Sequence, residues 1–217
     1  MSPFTALQQR RSIILHGASM FGGDDTTPRR ITAAVLAGGR STRMGRDKAM
    51  IAVNGRPMLE RVAAAAYDAG LEVMVVGRGQ GPDWCGPAAR FIPDDHPDAG
   101  PLGGIATALR HAGTPVLALG CDMPWVNAEV IRWLADSYAA EVEVAGLVAR
   151  NGGRLEPLFS VYGSPCAREI ARMIEAGNLA VMALIRRLGL PQAVVPEGFR
   201  SALRNVNTPH DLERGAG

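Results

Sequence analysis

Four short apolar runs within residues 31–122 each stop at glycine or aspartate, and this recurrence constrains the fold more than any single motif does. Ile31-Thr32-Ala33-Ala34-Val35-Leu36 leads into Gly38-Gly39, Glu72-Val73-Met74-Val75-Val76 into Gly77, Arg90-Phe91-Ile92 into Pro93-Asp94-Asp95, and Val116-Leu117-Ala118-Leu119 into Gly120-Cys121-Asp122. Runs this short, apolar and partly β-branched read as buried strands. Between them lie two helical segments. Alanine-rich Met58 to Ala69 follows Pro57 and stops at Gly70, the expected placing of proline at a helix start and glycine past its end. Gly100-Pro101-Leu102-Gly103-Gly104 opens the other, which runs to His111. Strands alternating with helices predict a mostly parallel sheet covered on both faces, with the polar loops collected at the carboxyl ends of the strands. Gly38-Gly39, Gly77, Asp94 and Asp122 would then share one edge.

The loop Leu36-Ala37-Gly38-Gly39-Arg40-Ser41-Thr42-Arg43-Met44-Gly45-Arg46-Asp47-Lys48 reads as a phosphate cradle. Gly38 and Gly39 have no Cβ, so their amides can turn toward an anion, and Arg43 and Lys48 add full positive charges that a plain turn does not need. Neither a P-loop nor a G-x-G-x-x-G dinucleotide fingerprint fits the spacing. Asp122 follows a strongly apolar strand, where a carboxylate suits a hard cation such as magnesium, held together with waters and phosphate oxygens; capping of the Pro124 turn is the alternative. Asp94 sits in an acidic loop with Asp95 and Asp98 as competitors, and His96 reads as a loop histidine.

The second half predicts a helix from Asn127 to Ala140, a strand over 142–149, and a strand over Arg154–Tyr162 interrupted by Pro157. Helices follow, capped by Ser164-Pro165 and by Asn178 and ending at Gly177 and Leu188. Val194-Val195 and 202–206 are short strand candidates, and Thr208-Pro209 starts a last helix with Asp211 in its first turn. Ala49 to Val53 reads as a strand closed by the turn dipeptide Asn54-Gly55. If Asn205 and Asn207 lie on a strand, alternation points them the same way.

L-A-G-G-x-S-x-R-M-G-x-D-K over residues 36–48, C-D-x-P at 121–124 and N-V-N-T-P at 205–209, with G-P-L-x-G at 100–104, resemble the nucleotidyltransferases that use a nucleoside triphosphate, and among them the molybdenum cofactor guanylyltransferases. The resemblance spans roughly residues 31–214. It implies a three-layer α/β/α Rossmann-like nucleotidyltransferase fold with a mostly parallel mixed sheet. It further implies transfer of GMP from GTP to the terminal phosphate of molybdenum-molybdopterin, with pyrophosphate leaving and Mg2+ on Asp122. Leu36, Ala37, Gly38, Gly39, Lys48, Gly77, Asp94, Asp122, Asn205 and Asn207 would bind the nucleotide and cofactor, while Arg43, Lys48 and Asp122 would act in catalysis. The asparagines would face either the pterin phosphate or the metal.

An acceptor phosphate attacking the α-phosphorus needs no covalent enzyme intermediate, so alignment and charge neutralisation would carry the reaction. Ser41 and Thr42 have no histidine base at a fixed spacing and are not nucleophiles. Leu-Ala-Gly-Gly resembles the GTP-using members, whereas the related cytidylyltransferases tend to show Leu-Ala-Ala-Gly. Two departures stand out: Gly77-Arg78 where the family can carry an asparagine, and Asn178-Leu179-Ala180 where it can carry arginines. The base contact must then come from the backbone or elsewhere, and Arg154, Arg186 and Arg187 are the candidate substitutes on the pterin side. The alternatives are a cytidylyltransferase or other nucleotidyltransferase of the same fold, and a catalytically silent nucleotide-binding subunit.

A net charge of +2 with no basic stripe argues against nucleic acid as a partner. Cys85, Cys121 and Cys166 show no C-x-x-C spacing, so neither a zinc site nor a disulfide framework is suggested, which favours a reducing cytoplasm. No apolar run approaches the ~18 residues of a membrane span. Residues 1–30 read as a flexible polar extension ahead of a single domain over 31–214. The resemblance adds transient contact with other molybdenum cofactor proteins and with recipient molybdoenzymes.

Overall fold

A computed structural model describes residues 30–38, 47–81, 89–208 and 211. Its sheet has seven strands, five of which carry or flank the predicted edge: β1 (Thr32–Leu36), β4 (Glu72–Val76), β5 (Ala89–Ile92), β6 (Val116–Gly120) and β8 (Arg154–Tyr162). With β7 (Gly146–Asn151) and β9 (Gln192–Val194) the order is β5-β4-β1-β6-β8-β7-β9. β8 alone runs antiparallel to its neighbours, so the sheet is mixed and mostly parallel, as expected. A small hairpin, β2 (Ala52–Val53) with β3 (Arg56–Pro57), stands apart from the sheet. Asn54 and Gly55 make its turn with φ of 51° and 77°, the positive pair that a tight hairpin turn requires.

The helices are α1 (Met58–Asp68), α2 (Gly100–Ala112), α3 (Ala128–Ala139), α4 (Ser164–Glu175) and α5 (Val181–Leu188). Strand side chains alternate between two cores. Ala33, Val35, Val73, Val75, Leu117 and Leu119 pack with α1 and α3, whereas Ala34, Leu36, Met74, Val76, Val116 and Ala118 pack with α2, α4 and α5. Burial on both faces is why these strands are apolar throughout rather than at every second residue. The three-layer α/β/α arrangement follows. The chain passes from β1 to β4 and β5 on one side, then returns to β6 on the other side of β1. Such a reversal opens a crevice beyond the carboxyl ends of β1 and β6.

Several local expectations are corrected. Only Ala52–Val53 of the run 49–53 is strand, because Asp47 caps a 3-10 turn over Lys48–Met50 and buries Ala49. Residues 142–145 precede β7 rather than extend it; Glu143 has φ of 53°, which breaks an extended chain. Ala202 and Leu203 are buried at the end of a 3-10 helix over Glu197–Leu203, and 204–206 are irregular, not a strand. Gly163 stands at the cap of α4, with Ser164 already helical, and Ala180 rather than Asn178 caps α5. Pro157 does interrupt β8. Val148 pairs with Ser160 but Ala149 pairs with Glu156, leaving Pro157, Leu158 and Phe159 without partners on β7. Proline has no N–H for a ladder, and Ser160 Oγ repairs the gap by accepting from Ala149 N at 3.3 Å and donating to Glu156 O at 2.6 Å.

Candidate active site

A cavity of about 330 Å³ opens beyond the carboxyl ends of β1, β4 and β6. Leu36, Ala37, Gly38, Lys48, Asp94 and Asp122 line it together. Gly77 does not line it but supports it from behind. A Cβ on Gly77 would lie 2.4 Å from Gly38 Cα, and Gly77 has φ of +97°, so glycine is demanded both by space and by backbone. Ala37 N donates to Val76 O and Gly77 N to Ile92 O, both at 2.9 Å, which carries the ladder one step past each strand and fixes the floor of the cavity. Gly39 and Arg43 lie outside the described residues.

Asp94 is fixed by two donors: Thr107 Oγ1 and His96 N each reach Oδ1 at 2.9 Å. Thr107 is fully buried in α2, so the carboxylate is held by the helix, with Oδ2 turned toward Gly38. Asp95 instead pairs with Arg110 and His111. Of the adjacent acids, Asp94 is the one in the cavity.

Lys48 connects the separated motifs. Its Nζ donates to Asp122 Oδ2 at 2.9 Å and to Asn207 Oδ1 at 2.8 Å. Asn207 arrives there because Val206 N donates to Asp122 O at 2.8 Å, while the Val206 side chain is buried with Val53 and Met58. Thr208 and Asp211 close the turn. Asp211 Oδ2 accepts from Asn207 N, Thr208 N and Thr208 Oγ1 at 2.8–2.9 Å, which fixes the backbone at Asn207.

The Asp122 and Asn207 oxygens thus converge on a cation. That is the donor chemistry of a magnesium site with few protein ligands, whose other positions go to water and phosphate. Among the described residues no three histidine, cysteine or acidic side chains group as a metal cluster. Cys121 adjoins Asp122, and its thiol is pushed up to about 12, chiefly by burial and then by the Asp122 carboxylate. It is protonated at neutral pH and is no nucleophile.

A second cavity, about 640 Å³, shares Asn207 with this cluster and is lined by Trp125, Arg154, Glu156, Arg204 and Asn205. Arg204 stacks 5.2 Å from the Trp125 ring centre. Trp125 Nε1 and Asn205 Oδ1 are buried without partners among the described residues. Burial raises the Glu156 pKa; Arg154 opposes the rise and Asp122 adds to it. Asn205 and Asn207 both border this cavity, although no strand aligns them as the alternation argument required. Arg186 and Arg187 lie at the end of α5, away from both cavities, and Arg187 pairs with Glu169.

Sequence inspection missed Trp125 and Glu156 as cavity residues and Leu158, which the β8 irregularity brings into the first cavity. Pro157 within an apolar strand was the available signal for Leu158.

A glycine floor, a lysine and an aspartate gathered at the switch point of a mostly parallel sheet define a nucleotide-handling α/β enzyme. Residues 33–192 match the model of the MobA-like NTP transferase domain, and the chain belongs to that family: it is a nucleotidyltransferase. It is 35% identical over 188 residues to a probable molybdenum cofactor guanylyltransferase of Pelotomaculum thermopropionicum, covering 83% of this chain and 89% of the relative. It is 34% identical over 195 residues to a molybdenum cofactor guanylyltransferase of Xanthomonas euvesicatoria, covering 87% of this chain and 96% of the relative. The crystal structure of molybdopterin-guanine dinucleotide biosynthesis protein A from Archaeoglobus fulgidus superposes with a TM-score of 0.69 at 28% identity, covering 85% of this chain and 96% of that one. Among the described residues, no helix is long and apolar enough to cross a membrane.

Proposed function

We propose that this chain transfers GMP from GTP to the terminal phosphate of molybdenum-molybdopterin, forming the guanine dinucleotide cofactor and releasing pyrophosphate. The observation that carries the reading is Lys48 Nζ held between Asp122 of the first cavity and Asn207 of the second. The names of the relatives supply the substrates, and two cavities linked by the Lys48–Asn207 hydrogen bond match a reaction that joins two ligands. The nucleotide lies in the first cavity, with its triphosphate over Gly38 and its neighbours. The pterin lies in the second, beside Asn205 and Asn207.

Asp122 would hold a magnesium ion, which when bound would supply positive charge to offset that of the phosphate oxygens. Lys48, positioned by Asp122 and Asn207, stabilises charge on the α-phosphate and the leaving pyrophosphate, and Arg43 adds a second positive charge. Asp94, fixed by Thr107, takes part in holding the nucleoside. The acceptor oxygen attacks in line, and the bond to pyrophosphate breaks without an enzyme-bound intermediate. Rate then comes from alignment and from donors aimed at the developing charge.

The test is incubation of the chain with magnesium, molybdopterin and each of four nucleoside triphosphates in turn, with pyrophosphate and the pterin product both measured. Formation of the guanine dinucleotide with GTP alone is the expected result. Turnover with CTP in preference to GTP would instead identify a cytidylyltransferase, and absence of product with all four would identify a silent nucleotide-binding subunit.

A further inference from the structure

We propose that Arg78 is a positioning residue for Lys48, acting through Asp47; the inference deepens the proposed transfer reaction and rests on it for its kinetic consequence. Arg78 follows β4, and both Gly77 N and Arg78 N donate to Ile92 O, at 2.9 and 3.3 Å, which ties this corner to the end of β5. Its guanidinium donates from NH2 to Asp47 Oδ2. The other oxygen of the same carboxylate, Oδ1, accepts from Ala49 N at 3.2 Å and caps the 3-10 turn that begins at Lys48. One carboxylate therefore joins the sheet edge on one side to the lysine turn on the other.

The asymmetry of the pair gives the direction of control. Arg78 is 21% exposed and Asp47 is 47% exposed, so the guanidinium is the anchored partner and the carboxylate is the one held in place. Arg78 Nε is buried without an acceptor among the described residues, and Asp47 is the side-chain partner that those residues give the guanidinium. An ion pair with one half-exposed partner contributes little to folding. Its leverage lies elsewhere: Lys48 is the next residue after Asp47, and its Nζ must reach both Asp122 and Asn207. A small rotation of the turn moves that ammonium off its two oxygens, and catalysis by alignment is sensitive to displacements of this size.

Lys48 is the only lysine in the chain, so its amine can be followed by itself. The full chain, Arg78→Ala, Arg78→Lys and the double variant Arg78→Ala with Asp47→Asn are labelled with acetic anhydride, and acetylation of Lys48 is timed by peptide mass spectrometry. Arg78→Ala is expected to label at least threefold faster than the parent. The double variant should match Arg78→Ala within twofold, since both break one linkage, and Arg78→Lys, which keeps the charge but not the planar fork, should fall between. In the transfer assay Arg78→Ala should lower kcat about tenfold, with KM for the triphosphate within twofold. Unchanged labelling overturns the positioning role, as does faster labelling with unchanged kcat. A rise in KM at constant kcat also overturns it and makes Arg78 a nucleotide contact. Absence of transfer by the parent chain is a failure of the functional reading alone; the labelling rates then decide the inference without it.

Discussion

Gly77 and Gly38 meet so closely that a Cβ on Gly77 would stand 2.4 Å from both Gly38 Cα and Gly38 N. Two loops leaving neighbouring parallel strands, β1 and β4, are thereby pressed backbone to backbone. The floor of the first cavity is set by this contact, because Gly38 lines the cavity and Gly77 lies behind it.

Gly77→Ala should therefore be harmful twice over. The φ of +97° is strained for any L side chain, and the methyl must displace Gly38 backbone rather than a flexible side chain. A loss of about 2 kcal/mol in urea unfolding is expected from the combination. The same variant should bind GTP more weakly, read by equilibrium titration, since relief of the clash moves the cavity floor. Alanine at Gly55, where nothing lies within 4 Å, meets the backbone strain without the clash and should cost less.

Lys48→Ala and Asp122→Ala should fold and lose transfer by on the order of a hundredfold or more, the usual effect of removing one group aimed at developing charge. Neither side chain is part of a hydrophobic core, so melting temperatures should stay close to that of the parent. Lys48→Arg is not expected to restore the rate: a planar fork cannot fill the point between Asp122 Oδ2 and Asn207 Oδ1 as an ammonium does. Single-turnover kinetics with GTP and molybdopterin check all three.

The strands at the centre of the sheet were legible because burial on both faces makes composition alone decisive; Ala33, Ala34 and Val35 are fully buried. Their ends were legible too, since glycine and aspartate have no other reason to follow such runs. Short apolar stretches failed where a cap or one dihedral decides the matter. Ala49 is buried from a turn that Asp47 caps, Glu143 breaks extension before β7, and Leu203 is buried from a 3-10 helix. Asp94, Asp122 and Lys48 were legible as members of one edge. Their contacts were not: Lys48 and Asn207 are 159 residues apart, and the Val206–Asp122 backbone bond together with burial of Val206 brings the asparagine to the lysine.

Glu156 gives a pH signature. Burial raises its folded pKa above the ordinary 4.5, with Asp122 adding and Arg154 opposing. The folded state then holds its proton more tightly than the unfolded chain does. Stability from this group is complete below about pH 4.5 and is lost as pH rises through the raised folded value. Glu156→Gln keeps the shape without the buried charge, so it should melt at a higher temperature than the parent at pH 8. The difference should shrink as pH falls to 4, and thermal melts across that range test it.

Asn207 offers the sharpest test of which ligand the second cavity takes. It borders that cavity and also holds Lys48, and Gly38 and Asp94 of the first cavity do not depend on it. If Asn207 serves the acceptor, Asn207→Ala should slow transfer to molybdopterin while GTP binds with the parent's affinity, both with and without magnesium. If its amide oxygen instead completes a cation site with Asp122, the affinity gained on adding magnesium should fall in the variant, because a hard cation loses one of few protein oxygens. Asn205→Ala separates the two further. Its Oδ1 is buried without a partner among the described residues, which give its side chain no hydrogen bond to Lys48, so it should impair only the acceptor side. Isothermal titration of GTP with and without magnesium, paired with pterin turnover, reads both variants. Retained magnesium enhancement in Asn207→Ala together with slowed transfer is the expected outcome, and loss of that enhancement would move Asn207 from the acceptor to the metal.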